Sequence, residues 1–108
     1  MVTFFKTRGY VYRVDRKYIV LQIMDKEELA KMNRLANRVD VKSQWLKINT
    51  EHAKVKDVRL LDYVKERSGL AGIKVVCSGI IKKYKFVTDD GNTVEGTTII
   101  AKSLKEDL

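Results

Sequence analysis

The feature that most constrains this chain lies in its last third. Gly72 to Val87 is a long run of Val, Ile, Lys and aromatic residues, and Thr93 to Leu104 is a second strand-like run, of Thr, Val and Ile. Between them stand Asp89, Asp90, Gly91 and Asn92, which favour a tight reversal because short polar side chains bond nearby backbone and Gly accepts positive φ. The second run therefore returns antiparallel to the first. Gly79 interrupts the first run, where a missing side chain allows a bulge or a tight bend.

The N-terminal part also reads as strand, since β-branched and aromatic residues dominate and helix starts are missing. A first strand is expected over Thr3 to Val14 and a second over Tyr18 to Met24, with Asp15, Arg16 and Lys17 turning between them. Asp25 followed by Glu28 resembles a capping box, and Leu29, Met32, Leu35, Ala36 and Val39 recur at helical spacing, predicting a helix from Glu27 to about Ala36. Val41 to Thr50 alternates again and reads as a third strand. From Lys54 to Arg67, Val55, Val58, Leu61 and Val64 fall every three residues, and Gly69 follows as a stop signal, so a second helix is expected there.

The order is strand, strand, helix, strand, helix, strand, strand. A mainly β, five-stranded Greek-key OB-fold barrel, with a helix between strands 3 and 4 and an extra helix between strands 2 and 3, fits it. A small open sheet packed by one or two helices gives nearly the same string. At 108 residues the chain is expected to be one domain, and 44% hydrophobic residues are enough for a packed core. No apolar run approaches the ~18 residues of a membrane span, and no signal-peptide pattern opens the chain. The lone Cys77, flanked by Val75 and Val76, reads as a buried thiol in a reducing compartment, so the cytoplasm is the expected location.

Lys and Arg number 22 against 14 acids, a net charge of +8, which suits a polyanion-binding surface. The strand period of two places the charge beside rings. In the first strand Phe4, Lys6, Arg8, Tyr10 and Tyr12 share one face, and Phe5, Thr7, Gly9 and Val11 the other. In the third, Trp45 and Lys47 oppose the aliphatic Leu46 and Ile48. In the fourth, Lys82, Tyr84 and Phe86 share a face while Lys83 and Lys85 project oppositely. Unpaired bases stack on aromatic rings at about 1–3 kcal/mol each while Lys and Arg neutralise phosphates, so such faces suit a single strand. The competing readings are half-buried packing for Tyr10, Tyr12 and Trp45, and an edge strand guarded by lysines for Lys82 to Lys85. Lys31, Arg34 and Arg38 form either an ordinary solvated face or a basic flap.

From the third strand onward the sequence resembles the bacterial and phage single-stranded-DNA-binding protein family. Ser43-Gln44-Trp45-Leu46-Lys47-Ile48 looks like the family's polar-polar-Trp strand, and Leu61-Asp62-Tyr63-Val64-Lys65 like the end of its helix. Gly72-Ile73-Lys74-Val75-Val76-Cys77-Ser78-Gly79 is similar to its Gly-x-x-Val-x-Val-x-Gly strand, and Lys82 to Phe86, Asp90-Gly91 and Thr97-Thr98-Ile99-Ile100-Ala101 match its closing hairpin. The resemblance implies that Trp45 and Phe86 stack on bases, and that the chain forms a dimer or tetramer and meets replication or recombination proteins. Glu51 departs from the pattern, standing where a further stacking aromatic belongs. The chain stops at Lys105-Glu106-Asp107-Leu108 without the linker and acidic tip of cellular members, so a short phage or plasmid member is expected.

The expected function is thus sequence-tolerant single-stranded DNA binding, with no catalysis, cofactor, metal or membrane. The alternatives are an RNA-binding OB or cold-shock-like module, which uses the same rings and cations, and a protein-interaction OB domain anchored by Trp45. His52 beside Glu51 and near Asp57 is expected to be a surface histidine at a helix start rather than half of an acid/base set.

Overall fold

A computed structural model describes residues 2–15, 17–37, 44–55 and 72–107. In chain order the elements are β1 (Thr3–Val14), β2 (Tyr18–Gln22), α1 (Lys26–Leu35), β3 (Trp45–Asn49), β4 (Lys54–Val55), β5 (Lys74–Val87) and β6 (Thr93–Glu106). β1 pairs antiparallel with β2 on one side and β5 on the other; β2 continues to β3 and β5 to β6. A parallel contact, Asn49↔Ile100, then joins β3 to β6, so the pairings of the five longer strands run in a ring. The two-residue β4 lies beside the end of β6.

Alternation decides what the ring encloses. Phe5, Thr7 and Val11 of β1, Ile19 and Leu21 of β2, Leu46 and Ile48 of β3, Val75, Cys77 and Ile81 of β5, and Ile99, Ala101 and Leu104 of β6 are all buried. Each large aliphatic among them contributes about 1.5–3 kcal/mol by leaving water. Two bulges adjust the pattern. Register slips between Val11 and Arg13, which leaves Tyr12 and Arg13 both exposed. It slips again between Ser78 and Gly79, as the interrupting glycine predicts. There a Cβ on Gly79 would lie 2.8 Å from the Lys102 nitrogen and 3.0 Å from the Ala101 Cα, with the Ile100 carbonyl oxygen closer still, so β6 backbone occupies the place of a side chain.

Helix α1 starts as the cap predicts: Asp25 Oδ1 accepts from the Glu27 and Glu28 N–H groups at 2.8 and 3.0 Å. Glu28 does not complete a capping box. Its carboxylate instead accepts from the buried Thr7 hydroxyl at 3.0 Å and pairs with Lys31 at 2.9 Å, while the Lys31 ammonium donates to the Lys6 carbonyl at 2.7 Å. At the other end Asn37 takes φ 54°, a left-handed stop that Asn tolerates, and the Ala36 carbonyl accepts from the Thr97 hydroxyl at 2.8 Å. Thr7 lies in phase with the inward face of β1, and Thr97 with that of β6. With Met32 and Ala36 buried between these ties, α1 closes the interior on that side.

Several boundaries differ from expectation. Lys54 does not begin a helix: Lys54 and Val55 pair with Ser103 and Leu104, a backbone demand that the three-residue apolar spacing does not reveal. The rest of the expected helix, 56–67, lies outside the described residues, as do 41–43 of the expected third strand. β2 ends at Gln22, with only the Ile23 N–H continuing to the Gln44 carbonyl at 2.8 Å, and β6 runs on to Glu106.

Past Ile81 and Ile99 the β5–β6 pair leaves the core as a two-stranded ribbon, and Lys82 to Val87 are all exposed. The reversal at its tip follows the turn chemistry. Gly91 N–H bonds the Thr88 carbonyl at 2.9 Å, Thr88 N–H bonds the Asn92 carbonyl at 2.8 Å, and Gly91 sits at φ 84°. This is a type I turn closed by a left-handed residue. Asp90 accepts from the Thr88 hydroxyl and, at 2.9 Å, from the Asn92 amide, and these bonds hold its carboxyl below its ordinary pKa.

Candidate nucleic-acid interface

Residues directly opposite across a sheet share a face. Trp45 opposes Gln22, Gln22 opposes Tyr10, and Tyr10 opposes Lys74, giving one outward row across β3, β2, β1 and β5. Trp45 is 48% exposed, so it points away from the core. Tyr12, at the bulge in β1, meets it: the two rings stack with centroids 5.2 Å apart and planes 24° apart. That separation admits no third ring between them, so a base would have to stack on an outer face. One register step along, the Lys47 ammonium lies 3.9 Å from the Tyr18 ring centroid, a cation–π contact that fixes the charge beside Trp45. The Asp15 carboxylate, hydrogen-bonded to Tyr18, pushes its phenol pKa up and keeps the proton on the ring oxygen.

A second pair of rings stands on the ribbon. Tyr84 and Phe86 stack with centroids 6.1 Å and planes 16° apart, as same-face neighbours on a strand. Tyr84 lies over Gly96, its cross-strand partner, in the space that a Cβ there would fill. The two ring pairs flank one cavity of about 570 Å³, lined by Trp45, Lys47 and Tyr84 together with Tyr18, Asn49 and Thr98. Lys82 stands opposite Thr98 at its margin. The site therefore offers ring faces, ammonium groups and hydroxyl or amide hydrogen-bonding groups within a single depression.

The expected residues are distributed as follows. Trp45, Lys47 and Tyr84 line the cavity, Tyr12 and Phe86 reach it through their stacks, and Lys82 borders it. Tyr10 stands two strands away from Trp45 in the shared row. Lys6 and Arg8 continue the same face along β1 toward Phe4, opposite Ser78 and Val76, beyond the cavity. Arg8 and Lys74 both meet Asp107, at 3.9 and 3.6 Å, so an acid near the end of β6 partly offsets this end of the positive face. Lys31 is tied to Glu28 and Lys6, which favours a fixed helix face over a flap; Arg38 lies outside the described residues. Sequence reasoning passed over Tyr18 and Lys74, although Tyr18 shares the phase of Val20 and Gln22 opposite the buried Ile19 and Leu21; Asn49 follows Trp45 and Lys47 on the outward face by the same alternation.

Glu51 and His52 are exposed in the turn after β3, where the Glu51 N–H donates to Asn49 Oδ1 at 3.0 Å. Among the described residues no group of three or more His, Cys, Asp and Glu gathers at metal-binding distance. Cys77 is buried, and burial pushes its thiol up to about 12. No helix of the described residues is long and apolar enough to cross a membrane.

No family model matches the chain, and no curated protein matches it. Among solved structures, it is similar to the mitochondrial single-stranded DNA-binding protein Rim1 of S. cerevisiae, with 15% identity, a TM-score of 0.50, and coverage of 98% of this chain and 94% of that one. A small single-stranded DNA-binding protein from Streptomyces coelicolor also matches, with 14% identity, a TM-score of 0.47, and coverage of 100% of this chain and 96% of that one. The likeness to the yeast protein is one of fold.

Proposed function

We propose that this chain binds single-stranded DNA on the outward face that carries Trp45 and Tyr84, and that its ring of strand pairings is an OB-type barrel. The observation that carries the reading is the convergence of Trp45 and Tyr84, one ring from each of two stacked pairs, with Lys47 on one cavity that Lys82 borders. Rings take bases of any sequence because every base has a π-face, and the ammonium groups take the phosphates between them. Lys6, Arg8 and Tyr10 extend the track along β1. The fold shared with Rim1, itself a single-stranded DNA-binding protein, supports the same reading. The chain acts by holding and protecting the strand during replication or recombination, without a chemical step of its own.

Binding assays with single-stranded DNA, duplex DNA and RNA of equal length at two salt concentrations test this. Neutralising about 3–5 phosphates gives a slope of log K against log salt of roughly −2 to −3.5 on a single strand. Duplex should bind clearly less well. Equal affinity for duplex, or an affinity that does not change with salt, would overturn the proposal.

A further inference from the structure

The face of β5 that fills the core continues beyond it. Cys77 and Ile81 point inward, and the same phase then carries Lys83 and Lys85, opposite Thr97 and Glu95. Ile81 is buried and both lysines are exposed, so the core face emerges from the ring as the back of the ribbon. The C-terminal end of α1 stands against it, held by the Thr97 hydroxyl on the Ala36 carbonyl. Between helix end and ribbon lies a second cavity of about 590 Å³, lined by Asn37, Lys83, Tyr84, Lys85, Glu95 and Thr97. Tyr84 and Thr97 line the front cavity as well. The two cavities therefore meet around the Tyr84 ring, where Gly96 leaves room for it.

Their chemistry differs. The front supplies ring faces, whereas the back supplies two ammonium groups and an amide, with Tyr84 as its one ring. The Lys85 ammonium sits 3.5 Å from Glu95, with both side chains 68% exposed, and a pair so open to water exchanges partners readily. We propose that a bound DNA strand does not end at the front face but passes round Tyr84 into the back cavity, where Lys83 and Lys85 hold the phosphates of the next nucleotides. This rests on the single-strand reading of the front face and extends it from one contact surface to two.

The test uses the full chain with oligo(dT) of about 5 and about 16 nucleotides, near the two ends of the site sizes usual for such domains. The double variant Lys83→Gln/Lys85→Gln should bind the short oligonucleotide as before. For the long one its slope of log K against log salt should become shallower by about 1.4, two single-strand phosphate contacts at about 0.7 each. Glu95→Gln, which frees Lys85, should tighten only the long oligonucleotide. An unchanged slope with the long oligonucleotide, or equal weakening at both lengths, overturns the back-cavity contact. Trp45→Ala run in parallel separates the two readings. Its weakening at both lengths, beside an unchanged lysine slope, refutes the extension alone, whereas unchanged short-oligonucleotide binding by Trp45→Ala refutes the front face itself.

Discussion

Replacing Gly79 with alanine tests the strand register on which the whole arrangement depends. The added Cβ would meet backbone on every close contact: the Lys102 nitrogen at 2.8 Å, the Ala101 Cα at 3.0 Å and the Ile100 carbonyl oxygen nearer than either. No flexible side chain end is available to move aside, and β6 is fixed by its ladder to β5 on both sides of the bulge. Overpacking costs about 1–3 kcal/mol where a core can partly relax, and this site belongs at the upper end. At roughly 4–8 °C per kcal/mol for a domain of about this size, the melting temperature should fall by about 10–20 °C. Gly91→Ala is the matched control, because its Cβ would meet nothing within 4 Å while φ +84° still disfavours alanine. That change should cost about 1 kcal/mol, hence roughly 4–8 °C. Thermal unfolding followed by far-UV circular dichroism reads both. A Gly79→Ala protein melting within a few degrees of the parent, or less affected than Gly91→Ala, would refute the bulged register.

Three further outcomes are expected. Cys77 should resist thiol reagents in the native protein and react on unfolding; because burial raises its pKa from the ordinary 9.0 to about 12, the stability it contributes is complete below pH 9 and is lost as pH rises toward 12. Rapid native labelling would put the inner face of β5 in water. Asp107→Asn should release Arg8 and Lys74 and steepen the salt slope of single-strand binding by up to about 1.4; an unchanged slope would remove this end of β1 from the binding track. Gly96→Ala should leave the melting temperature nearly unchanged, since the displaced atoms are the far end of the exposed Tyr84 ring, yet weaken single-strand binding by about 1 kcal/mol, part of one stack. Unaltered affinity would mean that the seat of Tyr84 is irrelevant to the site.

Local chemistry was legible in the sequence where a rule acts over a few residues. The span of β1, the ribbon turn at Asp89 to Asn92, the interruption at Gly79 and the Asp25 cap all follow from alternation, turn preference or side-chain oxygen placement. The outward facing of Trp45, Tyr84 and Phe86 follows from the same alternation. What escaped depends on partners distant in sequence. The parallel contact Asn49↔Ile100 that completes the ring leaves no mark on either segment. Glu28 fits a capping box locally, yet the buried Thr7 hydroxyl, which needs a partner inside, claims its carboxylate. Lys54 and Val55 carry helical spacing but are drawn into pairing with β6. The stack of Tyr12 on Trp45 joins β1 to β3 across β2, beside a bulge in β1 that has no glycine to announce it.

Trp45 is the sole tryptophan of the chain, so its fluorescence reports the proposed site without interference from another indole. Titration of the intact protein with poly(dT) measures the central claim directly. Stacking of bases on the outer face of Trp45 predicts saturable quenching that reverses as salt is raised. Emission that stays constant while a gel assay shows the DNA bound would contradict it and place the strand elsewhere on the molecule.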